Sequence, residues 1–176
     1  MDARIAPGGR RELGLPLWAF SRIVGLVSRT EPPKLFTTLG RHRRLFRGWL
    51  SFARRLMPGG RLPRRDTELV ILRVAHLRDC AYEHHHHLRL GRRAGLDDAD
   101  FARVEAGPGA DGWSPREAAL LRLVDELHER GDCSDEAWRA AGEHCDEREL
   151  IELVMLAAHY EMLATVIGTL RIAPDR

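Results

Sequence analysis

Cysteine is scarce and unpatterned in this 176-residue chain. Cys80, Cys133 and Cys145 are an odd count without framework spacing, so disulfide stapling is excluded as the source of stability and a reducing, cytoplasmic setting is expected. Aromatics make up only 6% of residues, and one lysine stands among 28 basic side chains, so the abundance of arginine reflects composition more than phosphate recognition. Long apolar runs are missing from the first half: Leu13 to Val27 is broken by Pro16, Ser21 and Arg22 and preceded by Asp2 and Glu12. Neither a spanning helix nor a cleaved signal is expected there. Strand signals are lacking as well, with no alternating runs and no Asn-Gly hairpin turn, which points to an all-helical domain. With 44% hydrophobic and 31% charged residues, the chain reads as a soluble globule of one domain or two small, intimately packed halves.

The net charge of +2 conceals an asymmetry. Residues 1–65 hold 15 Lys/Arg against 3 Asp/Glu, and the remaining residues hold 13 against 23. Such a split suits either anion or nucleic-acid binding, or a basic segment lying across an acidic one in the same or a neighbouring chain. The second reading is favoured, with neither nucleic acid nor membrane expected as a partner.

Glycine and proline place residues 1–16 in an extended arm. A short helix is expected over 17–28, and Pro32-Pro33 separates a packing segment, 1–33, from the helical domain, 34–176. Apolar spacing from Leu35 through Leu56 predicts one helix from about Lys34 to Met57. Asp66 to His76 is apolar on nearly every side and reads as central. Asp79 is expected to cap a helix from Cys80 or Ala81 to Ala94, stopped by Gly95. Short helices are expected over Asp97–Glu105 and after Ser134. Ser114-Pro-Arg-Glu117 has capping-box spacing for a helix to Arg130, and the last helix runs from about Asp146 to Leu170. A faint likeness between residues 66–72 and 147–153 suggests two degenerate helical repeats.

Chemistry concentrates in Cys80-Ala-Tyr-Glu-His-His-His-His87. On a helix Cys80, Glu83 and His87 share one stripe, and the helix N-terminus is expected to help Cys80 ionise. Glu68 lies on an otherwise apolar stripe. It is either a first-turn glutamate reaching solvent or a desolvated acid suited to proton transfer. The histidines admit a solvated face without a role, a metal site of Cys80, His84 and His87 that lacks the usual paired-ligand spacing, or acid/base and thiol chemistry.

Glu68, Cys80, position 83 and His87 follow the spacing Glu-x11-Cys-x2-Cys-x3-His, which resembles the alkyl hydroperoxidase D and carboxymuconolactone decarboxylase superfamily. The resemblance extends through Arg65-Asp-x-Glu-Leu-Val-Ile-Leu, Tyr82-Glu-x-x-His-His87, Leu45-Phe-Arg-x-Trp49, Trp113-Ser-Pro-Arg-Glu117, Asp125-Glu-Leu-His128 and Glu149-Leu-Ile-Glu-Leu153. It implies an AhpD-like helical bundle and assembly into homotrimers or hexamers. In the peroxidase branch the second cysteine attacks peroxide and the first resolves it. Here Glu83 occupies the second position, so a two-cysteine cycle cannot run unless Cys133 or Cys145 approaches Cys80. The decarboxylase branch implies acid/base chemistry, without metal or organic cofactor, on a small organic acid, lactone or enol-type compound. In that reading Glu83 and His87 form a carboxylate–imidazole pair and Glu68 holds or exchanges the proton. Tyr82 or His86 orients the substrate, and Arg73, Arg89 or an arginine of the first segment binds its carboxylate, while His159 and Tyr160 on the last helix either support the site from behind or, the favoured reading, serve packing. Peroxidase activity through Cys80 and a non-catalytic ligand-binding module are the alternatives.

Overall fold

The structure, a computed structural model, describes residues 2–28 and 30–175, with the Ser28 side chain left out. Ten helices and no strand occur among the described residues, so the all-helical expectation holds. They are α1 (Arg10–Leu13), α2 (Leu15–Ser28), α3 (Lys34–Leu39), α4 (Arg43–Leu56), α5 (Arg64–Leu77), α6 (Ala81–Arg93), α7 (Asp98–Ala106), α8 (Pro115–Arg130), α9 (Asp135–Gly142) and α10 (Glu147–Leu170). Contacts divide the chain into two compact units, Met1–Arg55 with Thr165–Arg176, and Leu56–Ala164. The Pro32-Pro33 break, where the sequence suggests a division, falls inside the first unit.

The first unit departs from the sequence reading in two places. The arm is not wholly extended, because Arg10–Leu13 forms α1, whose Glu12 carboxylate accepts from the Gly9 amide at 2.9 Å. The single helix expected over 34–57 is two helices. At the break Gly40 packs so closely that a Cβ there would stand 2.5 Å from Leu13 Cδ2, and His42 Nδ1 accepts from the Leu45 amide at 3.3 Å to open α4. Leu13, Leu17 and Phe46 are its buried core, flanked by Trp18, Phe36, Leu39, Trp49 and Leu50. The C-terminal segment joins the same unit through the Lys34 amide, which donates to the Asp175 carboxylate at 2.9 Å.

The second unit is organised around α5. Ten consecutive residues of that helix, Asp66 to Ala75, are buried, which explains why its sequence shows no polar face. Helices α6, α7 and α8 pack on it, and α9 packs on α8. Leu69 and Leu72 meet Leu96, Val104 and Leu121 in a shared apolar cluster. Arginines tie the layer together at its polar positions. Arg65 holds Asp100 and Glu117, each at 2.7 Å, and Arg116 holds Asp66 at 2.8 Å and Glu149 at 3.1 Å.

Capping chemistry sets the ends of these helices. Ser114 and Glu117 close a capping box on α8, Asp97 and Asp100 do so on α7, and the Ser134 hydroxyl accepts from the Ala137 amide on α9. Gly95 takes φ +90°, and the following Leu96 amide turns back to the Gly91 carbonyl at 2.9 Å, which stops α6. Asp79 is not the cap of α6. It adopts φ +48° in the tight α5–α6 connection, a left-handed geometry that Asp tolerates better than most residues, and Cys80 becomes the N-cap.

Helix α10 is long and apolar enough to cross a membrane by length and composition, and half of its most apolar window is buried inside the protein. Its inward stripe includes Leu150, Leu153, Leu156 and Tyr160.

Candidate active site

The short α5–α6 connection folds these two helices against each other, so residues from the first half of each meet. Glu68, Glu83 and His87 are 0%, 2% and 3% exposed, and Cys80 and Tyr82 are also buried. The convergence expected from the sequence is therefore present, but the pairing inside it differs. His87 Nδ1 lies 2.7 Å from Glu68 Oε2, whereas the sequence reading pairs it with Glu83. The other Glu68 oxygen, Oε1, accepts from Arg64 Nη2 at 2.5 Å, one helical turn earlier on α5. Arg64, Glu68 and His87 thus form a relay in which a guanidinium steadies a carboxylate and the carboxylate orients an imidazole. With Nδ1 donating to Glu68, Nε2 is the nitrogen left for a substrate proton.

Glu68 is buried rather than reaching solvent, as one of its two sequence readings has it, but both its oxygens are paired; Glu83 is the buried acid left without a partner. Neither of its oxygens has a hydrogen-bond partner of ordinary geometry. Burial pushes its carboxyl up to about 8; the neighbouring Cys80 thiol pulls it down, and the Glu161 charge adds to the rise. It is consequently a neutral acid, able to donate, at neutral pH. Burial first, and Glu83 second, push the Cys80 thiol up to about 12. The expectation that the helix N-terminus ionises Cys80 is corrected: desolvation and a neighbouring carboxyl outweigh the helix dipole.

His86 lies edge-on to His87, with ring centroids 5.4 Å apart. Burial, together with the charges of His87, Arg89 and His85, brings His86 down to about 4, so it stays neutral. His85 is exposed and His84 half-buried. Among the described residues no group of three His, Cys, Asp or Glu side chains is arranged to hold a metal ion. Arg73 is not placed to bind substrate. Its guanidinium grips Asp125 at 2.7 and 2.8 Å and the carbonyls of Val104 and Glu105 at 2.7 and 3.2 Å, so α5 spends it on joining α7 and α8.

One participant escapes the sequence reading, and a second has only a minor place in it. Arg64 sits just ahead of the helix start assigned at Asp66; its i,i+4 spacing to Glu68 is the signal that finds it once the helix begins earlier. Tyr160 on α10, read as packing or as a support behind the site, sets its ring against that of His87 at 5.2 Å and 87°. Burial first, then the Glu83 and Glu68 carboxyls, raise its phenol well above the ordinary range. No local pattern links position 160 to positions 68–87, because tertiary packing makes the contact.

Residues 43–126 match the model of the carboxymuconolactone decarboxylase family. No curated protein sequence matches the chain. Among solved structures it is similar to an uncharacterized peroxidase-related protein with an alkylhydroperoxidase AhpD core from Ralstonia eutropha JMP134, at 18% identity and TM-score 0.82 over 97% of this chain and 92% of that one. An uncharacterized peroxidase-related protein from Silicibacter sp. TM1040 aligns at 12% identity and TM-score 0.81 over 92% and 88%. The debrominase Bmp8, as a cysteine-to-alanine variant in complex with 2,3,4-tribromopyrrole, aligns at 13% identity and TM-score 0.82 over 98% and 92%. The matched residues 43–126 contain Glu68, Cys80, Glu83 and His87, and the chain shares the helical fold of the AhpD-like structures.

Proposed function

We propose that this protein is a cofactor-free acid/base enzyme that isomerises or decarboxylates a small organic acid, lactone or enol-type compound. The observation that carries the reading is the contrast between two buried carboxyls. Glu68 is paired to Arg64 and His87, while Glu83 has no partner on either oxygen and remains protonated at neutral pH. A carboxyl that keeps its proton, close to an imidazole oriented by a second carboxyl, is an arrangement suited to proton transfer. In this reading His87 Nε2 removes a proton from carbon beside a carbonyl, and Glu83 delivers a proton where charge accumulates. Where carbon dioxide is lost, the electron pair of the broken C–C bond moves into the conjugated carbonyl, and Glu83 protonates the product.

With Arg73 committed elsewhere, Arg64 is the guanidinium nearest the cluster for a substrate carboxylate; its side chain is 40% exposed while its Nη2 holds Glu68. The neutral Cys80 thiol argues against peroxide reduction, because the thiolate is the nucleophile and a thiol titrating at about 12 supplies little of it. A protein of the same fold, Bmp8, binds a small unsaturated ring, so a ligand of that size suits the scaffold. Homo-oligomeric assembly and a cytoplasmic setting belong to the same reading.

The test is deuterium exchange. Protein incubated in heavy water with a panel of unsaturated acids, enol lactones and ketones is expected to place deuterium beside the carbonyl. Glu83→Gln or His87→Gln should slow this by about 10²- to 10⁴-fold, and Cys80→Ala should leave most of it. Absence of exchange across the panel, or exchange that needs Cys80 and not Glu83, overturns the reading.

A further inference from the structure

Tyr160 is buried to 6% exposure, yet its hydroxyl meets only Met57 Sδ, at 3.9 Å. A thioether is a weak acceptor, and buried phenols ordinarily find a full hydrogen-bond partner. The ring is fixed edge-to-face on His87 at 5.2 Å, so the hydroxyl belongs to the same cluster as the relay. Glu83, 2% exposed, leaves both oxygens without a partner on the α6 side of that cluster. Two buried oxygen groups without a full partner, both in the surroundings of one imidazole, suit a ligand oxygen able to accept from each.

We propose that the Tyr160 hydroxyl and the Glu83 carboxyl form a two-donor cradle for the carbonyl oxygen of the substrate as it becomes an enolate, with His87 as the base. The inference rests on the acid/base reading and adds a residue and a substrate class to it: a ketone, ester or lactone with an acidic neighbouring C–H. When His87 Nε2 takes that proton, the C–H pair becomes the new C=C bond and the carbonyl π pair moves onto oxygen. The resulting negative charge is shared by two hydrogen bonds. The imidazolium then returns the proton to the carbon at the far end of the conjugated system, so no oxidant or reductant is required. Both donors gain strength as charge develops, which makes the arrangement selective for the transition state over the neutral carbonyl. Met57 covers the hydroxyl with an unbranched, half-buried side chain that can swing aside at small cost, and the substrate oxygen takes the position of its sulfur.

The cradle works only while Glu83 carries its proton. The ionisable groups around it are Cys80 at the N-cap of α6 and His87 on that helix, Glu68 with Arg64 on α5, and Tyr160 and Glu161 on α10, the last paired to His128 on α8 at 2.7 Å and to Arg78 at 3.4 Å. Of these, Tyr160 and Cys80 stay neutral through the range in which Glu83 titrates.

The test uses 2-naphthol, whose ionised form mimics an enolate and whose fluorescence separates the neutral and ionised species. Wild-type protein is expected to bind it as the naphtholate, with the affinity referred to that ionised species constant below neutral pH and falling as pH rises through about 8. Tyr160→Phe should weaken binding about 10- to 100-fold, and Glu83→Gln should remove the fall in naphtholate affinity above pH 8. Unchanged affinity in a folded Tyr160→Phe, a wild-type naphtholate affinity that does not fall above pH 8, or no naphtholate binding at all overturns the inference. Naphthol binding is read without turnover, so the two ideas fail separately. Exchange of deuterium by the wild type with naphthol affinity untouched in Tyr160→Phe removes the cradle and leaves the acid/base reading standing.

Discussion

A carboxyl buried without a hydrogen bond reverses the usual contribution of an acid to stability. Glu83 is raised from an ordinary 4.5 to about 8, so between those values the folded protein keeps a proton that the unfolded chain has released. Stability from this group is therefore highest below pH 4.5 and is lost as pH climbs toward 8, the opposite of a paired aspartate. Glu83→Gln, which cannot ionise, should gain on the wild type by a few kcal/mol across that window. Urea unfolding near both ends of the window checks this, and an equal difference at each end contradicts it. At this scale the sequence is a partial guide. Cys80, Glu83 and His87 share a stripe because helical spacing requires it, and all three are found in one buried cluster. Whether His87 turns to Glu83 or to Glu68 depends on the register of α6 against α5, which no local pattern encodes, and the structure places Glu68 2.7 Å away.

Helix α5 is surrounded by other elements, and its arginines show how a helix with few solvent-facing positions disposes of charge. Arg73, 7% exposed, donates twice to Asp125 on α8 and to two carbonyls at the end of α7. Removing one partner of such a pair leaves the other charge buried and the carbonyls unsatisfied. Arg73→Met should accordingly lower unfolding free energy by about 3 kcal/mol or more, with Asp125→Asn in the same background adding little. A variant as stable as the wild type would show that the clamp contributes nothing and would reopen Arg73 as a ligand-binding group. Helix ends were legible wherever a side chain caps them: Ser114 with Glu117, Asp97 and Ser134 all stand where the sequence suggests. The split between α3 and α4 was not. The tight turn through Gly40 to His42 keeps Leu35, Leu39, Phe46 and Trp49 on a spacing that mimics one continuous helix, and the close approach of Leu13 to Gly40 is a tertiary fact.

For the whole molecule, protonation sets opposing demands on either side of neutrality. Burial lowers His159 to about 4, and burial with neighbouring cations lowers His86 to about 4, both from 6.5. As pH falls below 6.5 the unfolded chain takes up protons that the folded protein refuses, so stability declines on the acid side. Asp100, held down to about 2 by the Arg65 and Arg103 guanidiniums and the Asp97 amide against the opposing pull of its burial, adds to that decline below its ordinary 3.8. Between 4.5 and 6.5 the two imidazoles outweigh the single Glu83 carboxyl, and stability rises with pH. From 6.5 to 8 only Glu83 among these groups still titrates differently in the two states, and stability falls. Unfolding free energy plotted against pH should therefore peak close to 6.5, below the sequence isoelectric point of about 8.6. In Glu83→Gln the peak should broaden into a plateau that persists until Cys80 begins to ionise in the unfolded chain near 9. A series of denaturant titrations across this range decides the matter. A curve that climbs steadily to the isoelectric point would mean that net charge outweighs the buried acid and imidazoles, and that Glu83 reaches a partner or water in solution.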